Sequence, residues 1–244
     1  MKIAPQMELN ILSTDLDAAN IEKLTDMRLS TKATNGTQSV EIVLGILRQN
    51  AISMSGLVAE QVNITLYDYA DTILGEQSFS QLYADIGDIW EYFYASFLLN
   101  DEFFFRIDRP EIIKKIKIVV LHSSENVEIG NLLVSEALSI GRTQTEFRLG
   151  IKDYSIKTED EFGDPLITER GYAKKGSFTV WVDNAFTNRI YKYLSEIRAQ
   201  VVLFIADDVG EMDAAVVFGI YRDFEILYTH KHRVALEIQI EQIY

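Results

Sequence analysis

FRLGIKDYSIKTEDEFGDPLITERGYAKKGSFTVWV, residues 147–182, decides the fold. It reads as two long strands joined by a polar turn at Asp160, Glu161, Phe162, Gly163, Asp164 and Pro165. On the return strand Phe178, Val180 and Val182 alternate with Thr179, Trp181 and Asp183, so one face is apolar and Trp181 points away from it. Asp183 or Asn184 then caps a helix running to about Arg198. Ile190, Leu194 and Ile197 form its apolar stripe, with Lys192, Glu196 and Arg198 mostly outside. Three strands follow: 201–205, 215–221 and 234–240. In the last, Leu236, Ile238 and Ile240 alternate with Glu237, Gln239 and Glu241. The order hairpin, helix, meander contains no βαβ series, which predicts an antiparallel β domain over 146–244 with one helix at about 184–198.

Toward the N-terminus the pattern is also β. Val127-Glu128-Ile129-Gly130-Asn131-Leu132-Leu133-Val134 is followed by Leu138-Ser139-Ile140-Gly141-Arg142-Thr143. After Pro110, residues 111–121 read as a strand with Ile116, Ile118 and Val120 inward and Lys115 and Lys117 in water. Val62, Ile64 and Leu66 share a face in residues 61–68, and residues 40–47 form a further β-rich run. An aromatic cluster spans 83–107, where Asp88 caps a short helix through Trp90, Phe93, Tyr94 and Phe97. These elements predict a first β domain over 37–145. Residues 1–36 are an N-terminal arm or first elements: an extended arm, a first strand, or a helix through Leu16 to Met27.

Composition fits folded protein over most of the 244 residues: 48% are hydrophobic and 25% charged. The net charge is −14, from 37 acidic and 23 basic side chains. That balance opposes nucleic-acid binding, which is dominated by phosphate neutralisation, and binding to anionic lipid. No cysteine occurs, which removes disulfides, thiolate nucleophiles and cysteine-ligated metals. The first residues lack the apolar core of a signal peptide, and no apolar run reaches about 18 residues. The expectation is a chain made in a cytoplasm, without membrane insertion.

Candidate chemistry is sparse. His230 and His232 share a face if they lie on a strand, but Lys231 and Arg233 make that position cationic and poor for a metal. His122 closes an apolar strand. Acidic residues cluster at Glu159, Asp160, Glu161 and Asp164, and again at Asp207, Asp208, Glu211 and Asp213. Calcium uses such loop oxygens, yet neither cluster has EF-hand spacing and solvated turns explain both. No G-x-S-x-G, P-loop or H-E-x-x-H occurs. No cofactor, metal or catalytic residue is therefore expected. Aromatics at such spacing ordinarily build core. The alternative for Trp90, Tyr92 and Tyr94 is a sugar-stacking platform or a subunit interface, and Trp181 is a further interface candidate.

The 127–134 block with Gly141-Arg142-Thr143 resembles the closing strands of a jelly-roll, galactose-binding-like domain of phage tail proteins. Gly150-Ile151-Lys152-Asp153-Tyr154-Ser155, the turn at 160–163, Glu169-Arg170 with Tyr172-Ala173-Lys174-Lys175, and Gly219-Ile220-Tyr221-Arg222-Asp223-Phe224 are similar to runs in tail-tip proteins of long-tailed bacteriophages. Val182-Asp183-Asn184 and the helix ending Ile197-Arg198-Ala199 are similar too. The likeness covers roughly 110–244 well and 36–110 loosely. It departs after the helix, where residues 201–205 are more apolar than in the family. The resemblance implies a mainly β chain: an N-terminal jelly-roll or β-sandwich, then the antiparallel β domain. It further implies a non-enzymatic virion structural protein at the tail tip or baseplate of a siphophage. Its partners would be other copies of itself in a ring and other tail proteins (tube, hub, fibre), through the Asp160–Pro165 hairpin and Trp181. The alternative is a carbohydrate-binding module for a host-surface glycan. An enzyme such as a carboxylate-pair depolymerase has no specific support.

Overall fold

The computed structural model describes residues 1–83, 98–159, 164–206, 215–228 and 232–243. It is mainly β with antiparallel pairing, and it falls into two units. One is Gln6–Glu136; the other joins Met1–Pro5 to Ala137–Tyr244. The joints therefore differ from the predicted 36/37 and 145/146. Residues 6–36 fold with the first unit, Met1–Pro5 with the second, and 137–145 with the second. The reason is backbone pairing. Strand β1 (Lys2–Pro5) bonds along β18 (Val202–Ile205) and, on its other side, β12 (Leu138–Ser139).

The Gln6–Glu136 unit is a β-sandwich. Its larger sheet runs β2 (Ile11–Thr14), β3 (Ser39–Gly45), β10 (Lys115–Leu121), β5 (Gln61–Tyr67), β6 (Ile73–Ser80). The smaller runs β11 (Asn131–Ser135), β4 (Ala51–Ser55), β9 (Glu102–Arg106). Alternation on β10 fixes the register. Ile116 lies between Leu44 and Leu66, Ile118 between Ile42 and Ile64, and Val120 between Val40 and Val62. These three rows, buried except for the half-buried Leu66, share one core with Ile52, Met54, Leu132 and Phe103 of the smaller sheet. Lys115 and Lys117 point the other way, as predicted, and pair with Asp71 and Glu41. Within residues 6–36 a strand and a short helix, Ala18–Lys23, form; the Asp17 carboxylate accepts from Asn20 N at 2.8 Å. A further ladder joins β7 (Leu82–Tyr83) to β8 (Leu98–Leu99).

The second unit is built on one antiparallel sheet, ordered β12, β1, β18, β19 (Val216–Leu227), β20 (Arg233–Gln242), β17 (Tyr172–Asp183), β13 (Arg142–Thr143). Strand β14 (Arg148–Asp153) also pairs with β17, farther along its length. Phe178, Val180 and Val182 are buried with Leu236, Ile238 and Ile240, which sit opposite or diagonal to them. Asp183 ends the strand and opens a 3-10 turn, accepting from Ala185 N at 3.0 Å. The helix Thr187–Glu196 follows and turns Ile190, Leu194 and then Ile197 into the core, as its stripe predicts. Tyr221 Oη donates to Leu194 O at 2.6 Å, tying the last helical turn to the sheet. Gly219 is required by close approach: a Cβ there would lie 2.1 Å from Glu241 O and 2.8 Å from Gln242 Cα.

The predicted long hairpin forms, with an interruption. Its base is the β14–β17 ladder, from Arg148 opposite Ser177 to Asp153 opposite Tyr172. Its outer part is β15 (Ile156–Glu159) against β16 (Pro165–Thr168). Tyr154 N to Gly171 O at 3.3 Å and Arg170 N to Ser155 Oγ at 3.1 Å bridge the break. Pro165 opens β16, a position that needs no ladder donor.

Candidate functional site

The hairpin arm is the most unusual surface of the second unit. Every residue of β15 and β16 is exposed, and these two strands pair only with each other among the described residues. A lone two-stranded ribbon is at best marginally stable in water, because it has no buried face. Yet this one carries large apolar side chains. Leu166 and Ile167 are 61% and 63% exposed, Ile151 58% and Tyr172 50%. Leu149, Tyr154 and Ile156 are exposed as well. Register distributes them over both faces. Thr158 is opposite Leu166 and Ile156 opposite Thr168, so Ile156 and Leu166 share one face; Lys157 opposite Ile167 places Ile167 on the other.

The arm's root is fixed by an ion cluster. Glu241 of β20 receives Arg222 Nε on Oε2 at 2.7 Å and Arg222 Nη2 on Oε1 at 2.8 Å. Lys152 Nζ of β14 donates to Oε1 at 2.9 Å and Tyr154 Oη to the same oxygen at 3.1 Å. The Arg222 guanidinium, then Lys152 and Tyr154, hold the Glu241 carboxyl down at about 2 against the opposing effect of desolvation. The same contacts raise Lys152 and Arg222 above their ordinary values. Lys152 also lies over the Tyr154 ring, 4.7 Å being the comparable distance for Lys115 over Tyr67 and 5.1 Å here. A hollow of about 480 Å³ borders this cluster, with Arg170, Gly171 and Ile220 in its wall. Three strands thus converge on one carboxylate at the point where the arm leaves the sheet.

Trp181 lies near the opposite end of β17. It is half-buried, stays outside the apolar core, and lines an open cleft of about 640 Å³ with Arg142, Thr143, Glu146, Asp183 and Arg233. The cleft exists because β13 and β14 both follow β17 but residues 144–147 between them bulge; Thr143 is opposite Val180 and Arg148 opposite Ser177. Phe147 fills the core side of the bulge, 5.5 Å from the Phe178 ring. What remains outside is an indole flanked by two guanidinium and two carboxylate groups.

Of the other predicted site residues, Asp164 and Pro165 are exposed on the arm. Asp160, Glu161, Phe162 and Gly163 lie outside the described residues, as do Trp90, Tyr92 and Tyr94, His230, and Asp207, Asp208, Glu211 and Asp213. The arm and the Trp181 cleft occupy different stretches of β17, so the structure does not bring those candidates into one site. His122 is buried, its Nδ1 accepting from Ser124 N at 3.2 Å and Glu125 N at 3.0 Å; it shapes a strand end. His232 contributes its backbone oxygen to Asn184 N at 3.1 Å. Among the described residues no group of His, Asp and Glu is arranged to hold a metal ion, and no helix is long and apolar enough to cross a membrane. Sequence reasoning missed the Glu241 cluster. Lys152, Tyr154 and Arg222 occur in conspicuous runs, but only strand register joins them to Glu241.

No family model matches the chain, and no curated protein matches it. Several solved structures show faint likeness, two of which illustrate it. One is reduced XRCC1 bound to the DNA pol beta catalytic domain, at 16% identity over 53% of this chain and 97% of that one, with a TM-score of 0.33. The other is a His 62 mutant of the lectin binding domain of Lectinolysin complexed with Lewis b, at 9% identity over 54% and 92%, also with a TM-score of 0.33. Likenesses this distant carry no argument about function.

Proposed function

We propose that the chain is a structural component of a bacteriophage tail tip or baseplate, assembling into a ring at the distal end of the tail by protein–protein contacts. The observation that carries the assembly role is the β15–β16 ribbon, with large apolar side chains exposed on both faces. Such a ribbon gains stability when another protein surface buries it. The Glu241 cluster supports the reading, since it sets the arm's exit angle before any partner arrives. The Trp181 cleft offers a second contact, with an amphipathic aromatic of the kind enriched at interfaces. On this reading the chain is not an enzyme and needs no cofactor. Its place is the virion, among tube, hub and fibre proteins.

The test is direct. Particles are purified from the lysate of the source, the chain is identified in them by mass spectrometry, and a gold-labelled antibody locates it. Label at the tail end is the expected result. A chain missing from the particles overturns the tail-tip reading.

A further inference from the structure

We propose that the partner covering the arm is the arm of a second copy of this chain, with the acidic tip of one lying on the basic root of the other. This deepens the assembly reading and rests on it only for the setting in which the contact is used.

Three observations converge on a second copy. The first is area. The fractional exposures of Leu149, Ile151, Tyr154, Ile156, Leu166, Ile167 and Tyr172 add up to roughly 3.5 whole side chains. At about 200 Å² per side chain that is about 700 Å² of apolar surface. A stable interface takes about 800 Å² from each partner, so the arm alone supplies most of one side.

The second is charge. The whole chain carries −14, so bringing two copies together is generally repulsive. Residues 147–175 are balanced, with six basic and six acidic side chains. Two copies that meet through their arms do so without that net repulsion.

The third is how those charges are arranged. Arg148, Lys152, Lys157, Arg170, Lys174 and Lys175 belong to the root and lower ribbon, against Asp153 and Glu169. The end of the ribbon carries Glu159, opposite Pro165, and Asp164 just before Pro165. Positive root and negative tip on one apolar ribbon make a surface complementary to itself reversed or staggered. Reversed arms close a pair; staggered arms continue from copy to copy around a ring.

Sedimentation equilibrium on the purified full chain tests this. The wild type is expected to associate at micromolar concentration, more weakly at high salt. Ile167→Asp is expected to weaken association at least about 10-fold with the melting temperature of the dilute monomer unchanged, because the side chain is already in water there. The tip-reversed variant Glu159→Lys/Asp164→Lys and the root-reversed variant Arg148→Glu/Lys175→Glu are each expected to lose about 10-fold. Mixing the two is expected to restore association to within about 3-fold of wild type. A wild type that stays monomeric to about 100 μM overturns the proposal, as does an Ile167→Asp chain that associates normally. Charge variants that fail to re-pair on mixing also overturn it. Particle labelling is a separate readout: a tail-end label with arm-independent association fails the arm contact alone, whereas arm-dependent association without a label fails the tail-tip reading alone.

Discussion

Glu241→Gln removes the charge on which the arm's root converges, and its cost follows from the structure. Lowering a carboxyl from 4.5 to about 2 corresponds to at most about 3.4 kcal/mol of preference for the charged form in the folded state. The donors are only partly shielded: the side chains of Arg222 and Lys152 are 53% and 45% exposed, so water screens roughly half of it. The expected loss is about 1–2 kcal/mol at pH 7. The sign of the pH dependence is fixed because the folded value is depressed. The stabilisation is fully present above the unfolded value of 4.5 and is lost as pH falls through the folded value of about 2. Wild type and Glu241→Gln should therefore differ by about 1–2 kcal/mol at pH 7 and by less than half of that at pH 3. Urea unfolding followed by fluorescence measures both. In a Trp90→Phe background Trp181 is the sole tryptophan and reports the unit that holds Glu241. Comparing variant with wild type at each pH cancels the titration of the many other carboxylates. Equal destabilisation at pH 7 and pH 3 would refute the ionic argument, leaving shape or packing as the cause.

Gly219→Ala places a methyl 2.1 Å from the Glu241 carbonyl oxygen, a backbone atom that cannot swing aside. It should cost more than about 2 kcal/mol in the same unfolding assay. Asp183→Ala removes the acceptor for Ala185 N at the start of the 3-10 turn that leads into the helix and should cost about 1 kcal/mol, with Asp183→Asn recovering most of it. Ile118→Ala empties the middle of three buried cross-strand rows in the sandwich and should cost about 2–5 kcal/mol, read as a lower melting temperature of that unit by calorimetry.

The elements that sequence made legible are those whose own chain segment carries the whole signal. Phe178, Val180 and Val182 alternate because one face of β17 meets core, and Ile190, Leu194 and Ile197 recur because one side of the helix does. Asp183 marks the junction because its short side chain satisfies a free amide there. Strand β1 had no such signal. Its four residues are too few for a period, and their partners Val202–Ile205 lie about two hundred positions away. Hence the sequence reading left residues 1–36 undivided, while pairing divides them after Pro5. The Glu241 cluster was hidden for the same reason: on β20 alone Glu241 is one more outward carboxylate.

The arm is the instructive intermediate case. Its strands were legible from β-forming residues around a Gly-Asp-Pro turn, but its exposure was not, since Ile151, Leu166 and Ile167 look like core residues in any alternation count. A fold that buried these side chains against its own body would show one apolar face on the ribbon. Here Leu166 and Ile167, adjacent in sequence, point to opposite faces and are both open to water. A single flat surface of the same chain could cover only one of them. On the proposed assembly reading two-sided exposure suits a ribbon enclosed by its partner, and Ile167→Asp and Leu166→Asp should each weaken association while leaving the monomer's stability within about 0.5 kcal/mol of wild type. If Leu166→Asp leaves association intact while Ile167→Asp weakens it, the Ile167 face alone is used and the ribbon lies on its partner without being enclosed.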